Sequence, residues 1–125
     1  MKQVIVQNLD HPQNKPLRAV YCDSFACRLR GLTFRRSLDV GQGLLLVQSR
    51  DSRMDASIHM LGVFIDLGII WINSKGLVVD TCLARRWHLA YFPKNPARFI
   101  LEIHPDRLNE FNIGDKVRFE DYRPA

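Results

Sequence analysis

The stretch IIWINSKGLVVD, residues 69–80, constrains this chain more than any other. Two β-branched apolar runs flank Asn73-Ser74-Lys75-Gly76. A glycine closing a short polar connection supplies the positive φ that a bulged hairpin needs, so two antiparallel strands are expected to meet here. Upstream, IHMLGVF and DLGIIWIN carry apolar residues on both alternating faces. That pattern marks central strands covered on both sides more than half-exposed ones.

The remaining segments fall into place around this hairpin. KQVIVQN and LRAVYCD read as strands separated by LDHPQNKP, a loop with two prolines. Phe25, Leu29 and Leu32 then follow helical spacing, with Asp23 or Ser24 as the N-cap and Gly31 as a left-handed exit. Arg28 and Arg30 fall in the last turn of that helix, where their charge complements its dipole. GQGLLLVQ predicts a buried strand at 44–47, and SRDSRMDAS, polar and aperiodic, an exposed loop. RWHLAYFPKNPAR is broken by Pro93 and Pro96 and reads as loop or edge. FILEI is a further strand. Pro105 fits the first position of a short helix with Leu108 and Phe111 on one face, ended by Asn112 and Gly114. KVRFE closes the series.

About seven short strands and two short helices, without regular alternation of strand and long helix, argue against a doubly wound parallel sheet. The expected fold is mainly β (α+β), a compact antiparallel barrel or roll. At 125 residues with 46% apolar side chains, a single domain over 1–125 is expected.

Lysine and arginine number 18 against 13 acidic residues, a formal charge of +5. The bases come as pairs (Arg28 and Arg30, Arg35 and Arg36, Arg50 and Arg53, Arg85 and Arg86). A polyanion would therefore be bound only if the fold gathers those pairs. The apolar run 67–72 is far short of the ~20 residues of a membrane span. The start turns polar after three apolar residues, unlike a signal peptide. The expectation is a soluble, cytoplasmic protein with no membrane partner.

Three cysteines without a secretion signal argue for free thiols, so Cys22, Cys27 and Cys82 are expected to be small buried hydrophobes. A Cys22 ending a strand and a Cys27 on a helix would point apart. Their spacing is also unlike the tight ligand pairs of zinc sites, and GQGLLL lacks the length and lysine of a phosphate-binding loop. No metal or cofactor is expected.

Several blocks carry a family resemblance. CRLRGLTFRRSL, GLLLV, SIHM followed by ID and a WI strand, PARFILEI and IGDKVRF resemble, in order, the blocks of the bacterial and archaeal domain-of-unknown-function family numbered 192. They span residues 17–119. The resemblance implies one small β-rich domain and no known activity, many relatives looking exported. It places the family's arginine-glycine-leucine block on Arg30, Gly31 and Leu32, with Arg35 after it. Its histidine-methionine pair falls on His59 and Met60, its aspartate on Asp66 and its strand glutamate on Glu102.

Three functional readings follow from the residues. The leading one is a non-catalytic binding or accessory module, with a basic and polar cleft of Arg30, Arg35, Arg36, Ser57, His59 and Asp66. Its arginines would pair an anionic ligand or protein partner, and His59 would titrate near neutral pH. The second is RNA or single-strand binding through Arg85, Arg86, Trp87, Tyr91, Lys94 and Arg98, where aromatic faces beside basic residues could stack bases. Trp71 is left out of that face, because its strand is the most apolar and assigns it to the core. The third is a small hydrolase using Ser57, His59 and Asp66. Ser57 and His59, two apart, share a strand face, but no glycine-framed nucleophile elbow surrounds Ser57. The reading leans away from catalysis, so no catalytic residue is assigned. Glu102, four residues after Arg98 on one strand face, reads as part of a structural ion pair with a nearby arginine.

Overall fold

The turn at Asn73 forms as its chemistry requires. Gly76 sits at φ 83°, and the Asn73 side-chain oxygen accepts the backbone N–H of Lys75 and of Leu77, each at 3.0 Å. In this computed structural model, which describes residues 2–32 and 36–124 without the side chains of Leu29 and Arg30, that turn joins two strands of one seven-stranded sheet.

The elements in chain order are β1 (Gln3–Asn8), β2 (Leu17–Cys22), α1 (Phe25–Arg30), β3 (Gln42–Ser52), β4 (Leu67–Ile72), β5 (Val78–Ala84), β6 (Ala97–Ile103), a 3-10 helix (Pro105–Glu110) and β7 (Val117–Asp121). Across the sheet the order is β5-β4-β6-β3-β2-β1-β7. All neighbours are antiparallel except β2 and β3, which α1 connects as a parallel pair. The mainly β expectation with two short helices holds. The sheet remains open, however, so barrel describes it only loosely. Its edge strands meet at one end, through the Leu77–Lys116 bridge and the Val78 N–H to Asp115 carbonyl bond of 2.9 Å.

Both faces of the sheet are buried, which is why β4 shows no alternation and all six of its residues are inaccessible. Leu45, Val47, Ile70, Ile72, Leu101 and Ile103 pack on one face with Val4, Val6 and Phe111. Leu44, Leu46, Ile69, Trp71 and Ile100 pack on the other, the face that meets Cys22, Cys27 and Leu32. Trp71 is a core residue, as expected, and its indole N–H donates to the Ala56 carbonyl at 2.8 Å.

Helix α1 has the predicted ends. The Ser24 hydroxyl accepts the Cys27 N–H at 3.1 Å, and Gly31, at φ 50°, returns its N–H to the Cys27 carbonyl at 2.9 Å. The expectation of three free thiols is overturned, because Cys22 and Cys27 are joined by a disulfide. The end of β2 and the third residue of α1 bring their Cα atoms to 5.5 Å, inside the range a bridge spans, so the side chains converge. That bond also fixes the helix's rotation. Cys27 faces the sheet, and Phe25, two residues and about 200° away around the helix, is left exposed. Cys82 is the free cysteine.

IHMLGVF is not a strand. Gly62, at φ 75°, turns the chain, and Ile58, Met60 and Val63 enter the core from a loop. That loop is tied to residues 87–91 by Ile58–Tyr91 pairing and by Met60 bonds to Trp87 and His88. The expected loop at 49–57 is shorter than predicted because β3 continues to Ser52. Asp51 on that extension accepts the Ser74 N–H and hydroxyl and braces the hairpin turn. The second helix is a 3-10 helix with Pro105 in its first turn, and the His104 ring caps the Asp106 N–H.

Candidate functional site

The register of the sheet builds the site. Gln3 faces Val20, Val20 faces Leu44, Leu44 faces Glu102 and Glu102 faces Ile69, giving one row of side chains across five strands. A second row runs Ile5, Arg18, Gln42. Helix α1 lies over these rows on its way from β2 to β3, and cavities flank it. One, of about 70 Å³, is lined by Arg28, Gly31, Ser57, His59, Met60 and Glu102 among other residues. Another, of about 550 Å³, opens by Ser24, Ala26 and Cys27 and shares Gly31 and Leu32 with the first.

Glu102 is the chemically unusual member. Burial in the apolar face beneath α1 pushes its carboxyl up to about 7. Among the described residues no hydrogen-bond donor reaches it, and Arg98, on the same strand face, is not its ion-pair partner. Arg98 Nε donates instead to the Gln48 carbonyl at 3.0 Å. Arg28 enters the same cavity from α1 and donates to the backbone carbonyls of Asp23 and Val47. Ser57 hydroxyl donates to the Met54 carbonyl at 2.7 Å, and His59 is exposed at the rim.

Of the predicted polar cleft, Ser57 and His59 are therefore brought together, with Arg28 and Glu102 added. Asp66 is drawn elsewhere. Its carboxylate accepts the Arg86 backbone N–H at 2.9 Å and Arg86 Nε at 3.1 Å, bonds that hold it below the usual carboxylate range. Ser57, His59 and Asp66 thus form no hydrogen-bonded triad. Arg36 stacks over the Phe64 ring at 4.6 Å. Arg35 and the Arg30 side chain lie outside the described residues.

The basic and aromatic stretch divides. Trp87 is half exposed, at φ 65°, and meets Phe64 edge to face. Tyr91 is turned inward, accepting the Arg85 N–H through its hydroxyl and stacking on His88. The Lys94 backbone N–H is bonded to buried Asp80, and Arg98 lies over Phe99. Arg85 and Arg86 are exposed next to Trp87.

Glu102 and Arg28 were missed for different reasons. The helix dipole already gives Arg28 a structural reason to stand at the end of α1, and an ion pair with a nearby arginine gives one to Glu102. The available signal was an acid at an inward position of FILEI, since a carboxylate among apolar neighbours needs a reason to be there.

No group of His, Cys, Asp and Glu that could hold a metal ion occurs among the described residues. Nor is any described helix long and apolar enough to cross a membrane.

The chain is similar to UPF0127 proteins of archaea. It is 40% identical to one from Thermococcus gammatolerans over 64% of this chain and 50% of that protein. It is 35% identical to one from Pyrococcus furiosus over 79% and 84%. The chain thus spans about half the length of the Thermococcus gammatolerans relative. Two crystal structures share its fold. One, from Sinorhizobium meliloti and described as a candidate transcription regulator, superposes with a TM-score of 0.82 at 16% identity, over 94% of this chain and 92% of that one. The other, a Novosphingobium aromaticivorans protein of unknown function, gives 0.76 at 22%, over 93% and 83%. A family model described as uncharacterized ACR matches residues 6–119, and the chain therefore belongs to that family, DUF192.

Proposed function

We propose that this chain is a non-catalytic binding module that takes an anionic group of a small molecule or protein partner in the cleft between α1 and residues 57–60. One observation carries the reading: the buried Glu102 carboxyl forms part of a cavity that Arg28, Ser57 and His59 also line. At about 70 Å³ the cavity has room for roughly two waters, at ~30 Å³ each, or one carboxylate-sized group. A carboxyl kept neutral by burial donates an O–H to such a group, and Arg28 contributes the countercharge. Hydrolysis has less support, because among the described residues no base is hydrogen-bonded to Ser57, and Asp66 is committed to Arg86.

Titrating the protein with acetate and with inorganic phosphate, followed by amide NMR, tests this. Saturable shifts at residues 57–60 that are lost in Arg28→Gln are expected. Shifts that are absent, or that persist unchanged in that variant, would overturn the reading.

A further inference from the structure

The 550 Å³ cavity on the other flank of α1 shares only Gly31 and Leu32 with the lining of the Glu102 cleft. Its size falls within the range of small-molecule sites. Its floor is the Gln3–Val20–Leu44 row, and Leu32 and Leu38 add apolar surface. Gln3, Arg18, Ser24 and Gln42 are the polar side chains in the described lining, and the first two bear on what could bind. The Gln3 side-chain oxygen is buried with no hydrogen-bond partner among the described residues. A buried acceptor with no protein donor favours a ligand that brings one. Arg18 stands one row away, exposed at the mouth. Tyr122 holds it, accepting from Nη1 at 3.2 Å and lying 5.0 Å beneath the guanidinium. That single bond uses few of the guanidinium's donors. The described lining contains this cation and no acidic side chain.

We propose that this cavity binds an amphipathic carboxylic acid, its apolar chain between α1 and the sheet, its carboxylate on Arg18, and a hydroxyl or amide N–H near the head donating to Gln3. The position of each group follows from the register. Gln3 and Arg18 occupy neighbouring rows of adjacent strands, so a donor a few bonds from the carboxylate reaches one while the carboxylate meets the other. The site is distinct from the Glu102 cleft and does not depend on it.

Calorimetric titration with decanoate, β-hydroxydecanoate and decylamine tests the assignment. Decanoate should bind, β-hydroxydecanoate more tightly, and decylamine not measurably. Arg18→Gln should weaken both acids about tenfold. Gln3→Leu should abolish the preference for the hydroxyl. Ala26→Trp, an exposed helix position facing the cavity, should block both acids, and Glu102→Gln should leave their affinities unchanged. Equal affinity for decylamine, no heat with either acid, or full binding in Arg18→Gln would overturn the proposal. Loss of binding in Glu102→Gln would overturn the separateness of the two sites. Because Arg18 is exposed, its variant remains informative even if Ala26→Trp does not fold.

Discussion

Leu44 lies directly across the β3–β6 ladder from Glu102, and Ile69 lies across from it on the other side. A carboxyl between two such neighbours is held in its neutral form to about pH 7, against 4.5 in the unfolded chain. Below pH 4.5 both states are protonated and the group adds no pH dependence. From 4.5 to about 7 the unfolded chain releases a proton that the folded chain keeps, so stability falls as pH rises, and above 7 the loss is complete. Urea midpoints of the wild type and Glu102→Gln, measured from pH 4 to 8, should diverge in favour of the variant by about 3 kcal/mol over that window. A constant difference between the two would contradict the burial of this acid.

Thiol counting checks the Cys22–Cys27 bond. Ellman's reagent should find one thiol in the unfolded, unreduced chain and three after reduction. In the folded protein, burial and the neighbouring Asp80 push the Cys82 thiol up to about 12, so its alkylation at neutral pH should be slow until denaturant is added. Replacing Cys22 and Cys27 together by alanine should cost about 2 kcal/mol, since the loop they close is short.

Trp71→Phe removes the N–H that satisfies the Ala56 carbonyl and leaves space in the core. A loss of about 2 kcal/mol or more is expected from thermal or urea unfolding. Ala56 carries the chain toward Ser57 and His59, so the amide shifts of both should move as well.

Gly76→Ala meets two obstacles. The residue sits at φ 83°, and a Cβ there would come within 2.9 Å of the Val117 carbonyl, at the point where the sheet's two edges meet. The expected cost is about 1–3 kcal/mol. Gly41→Ala, with open space around its Cβ, should stay within about 0.5 kcal/mol and serves as the control.

What could be read in advance was local chemistry. The Asn73–Gly76 turn, the Ser24 and Gly31 caps and Pro105 at the start of a helix all depend on a few neighbouring residues. Ser57 and His59 do reach one cleft, but not as alternate residues of a strand face: they lie on a loop whose residues from Ser57 to Met60 all line it. Two of the differences are long-range. Asp66 is claimed by Arg86, twenty residues on, and the face that Glu102 occupies is defined by β3 and β4. For Cys22 and Cys27 the compartment suggests free thiols, but the 5.5 Å between their Cα atoms allows a bridge, and that distance is not visible in the sequence.

Helix α1 is six residues long, too short to persist by itself, since a helix nucleus is unfavourable and needs many turns to recover its cost. Its order is therefore borrowed from the cysteine bridge, the Ser24 cap and the Gly31 exit. Local opening of this segment should be far easier than unfolding of the sheet. The amides of Arg28 and Gly31, bonded only to Ser24 and Cys27, would exchange with solvent deuterium early, and earlier still once the bridge is reduced. Those of β4, buried on both faces, would wait for global unfolding, so the bridge marks the boundary between a segment that opens locally and a sheet that opens only as a whole.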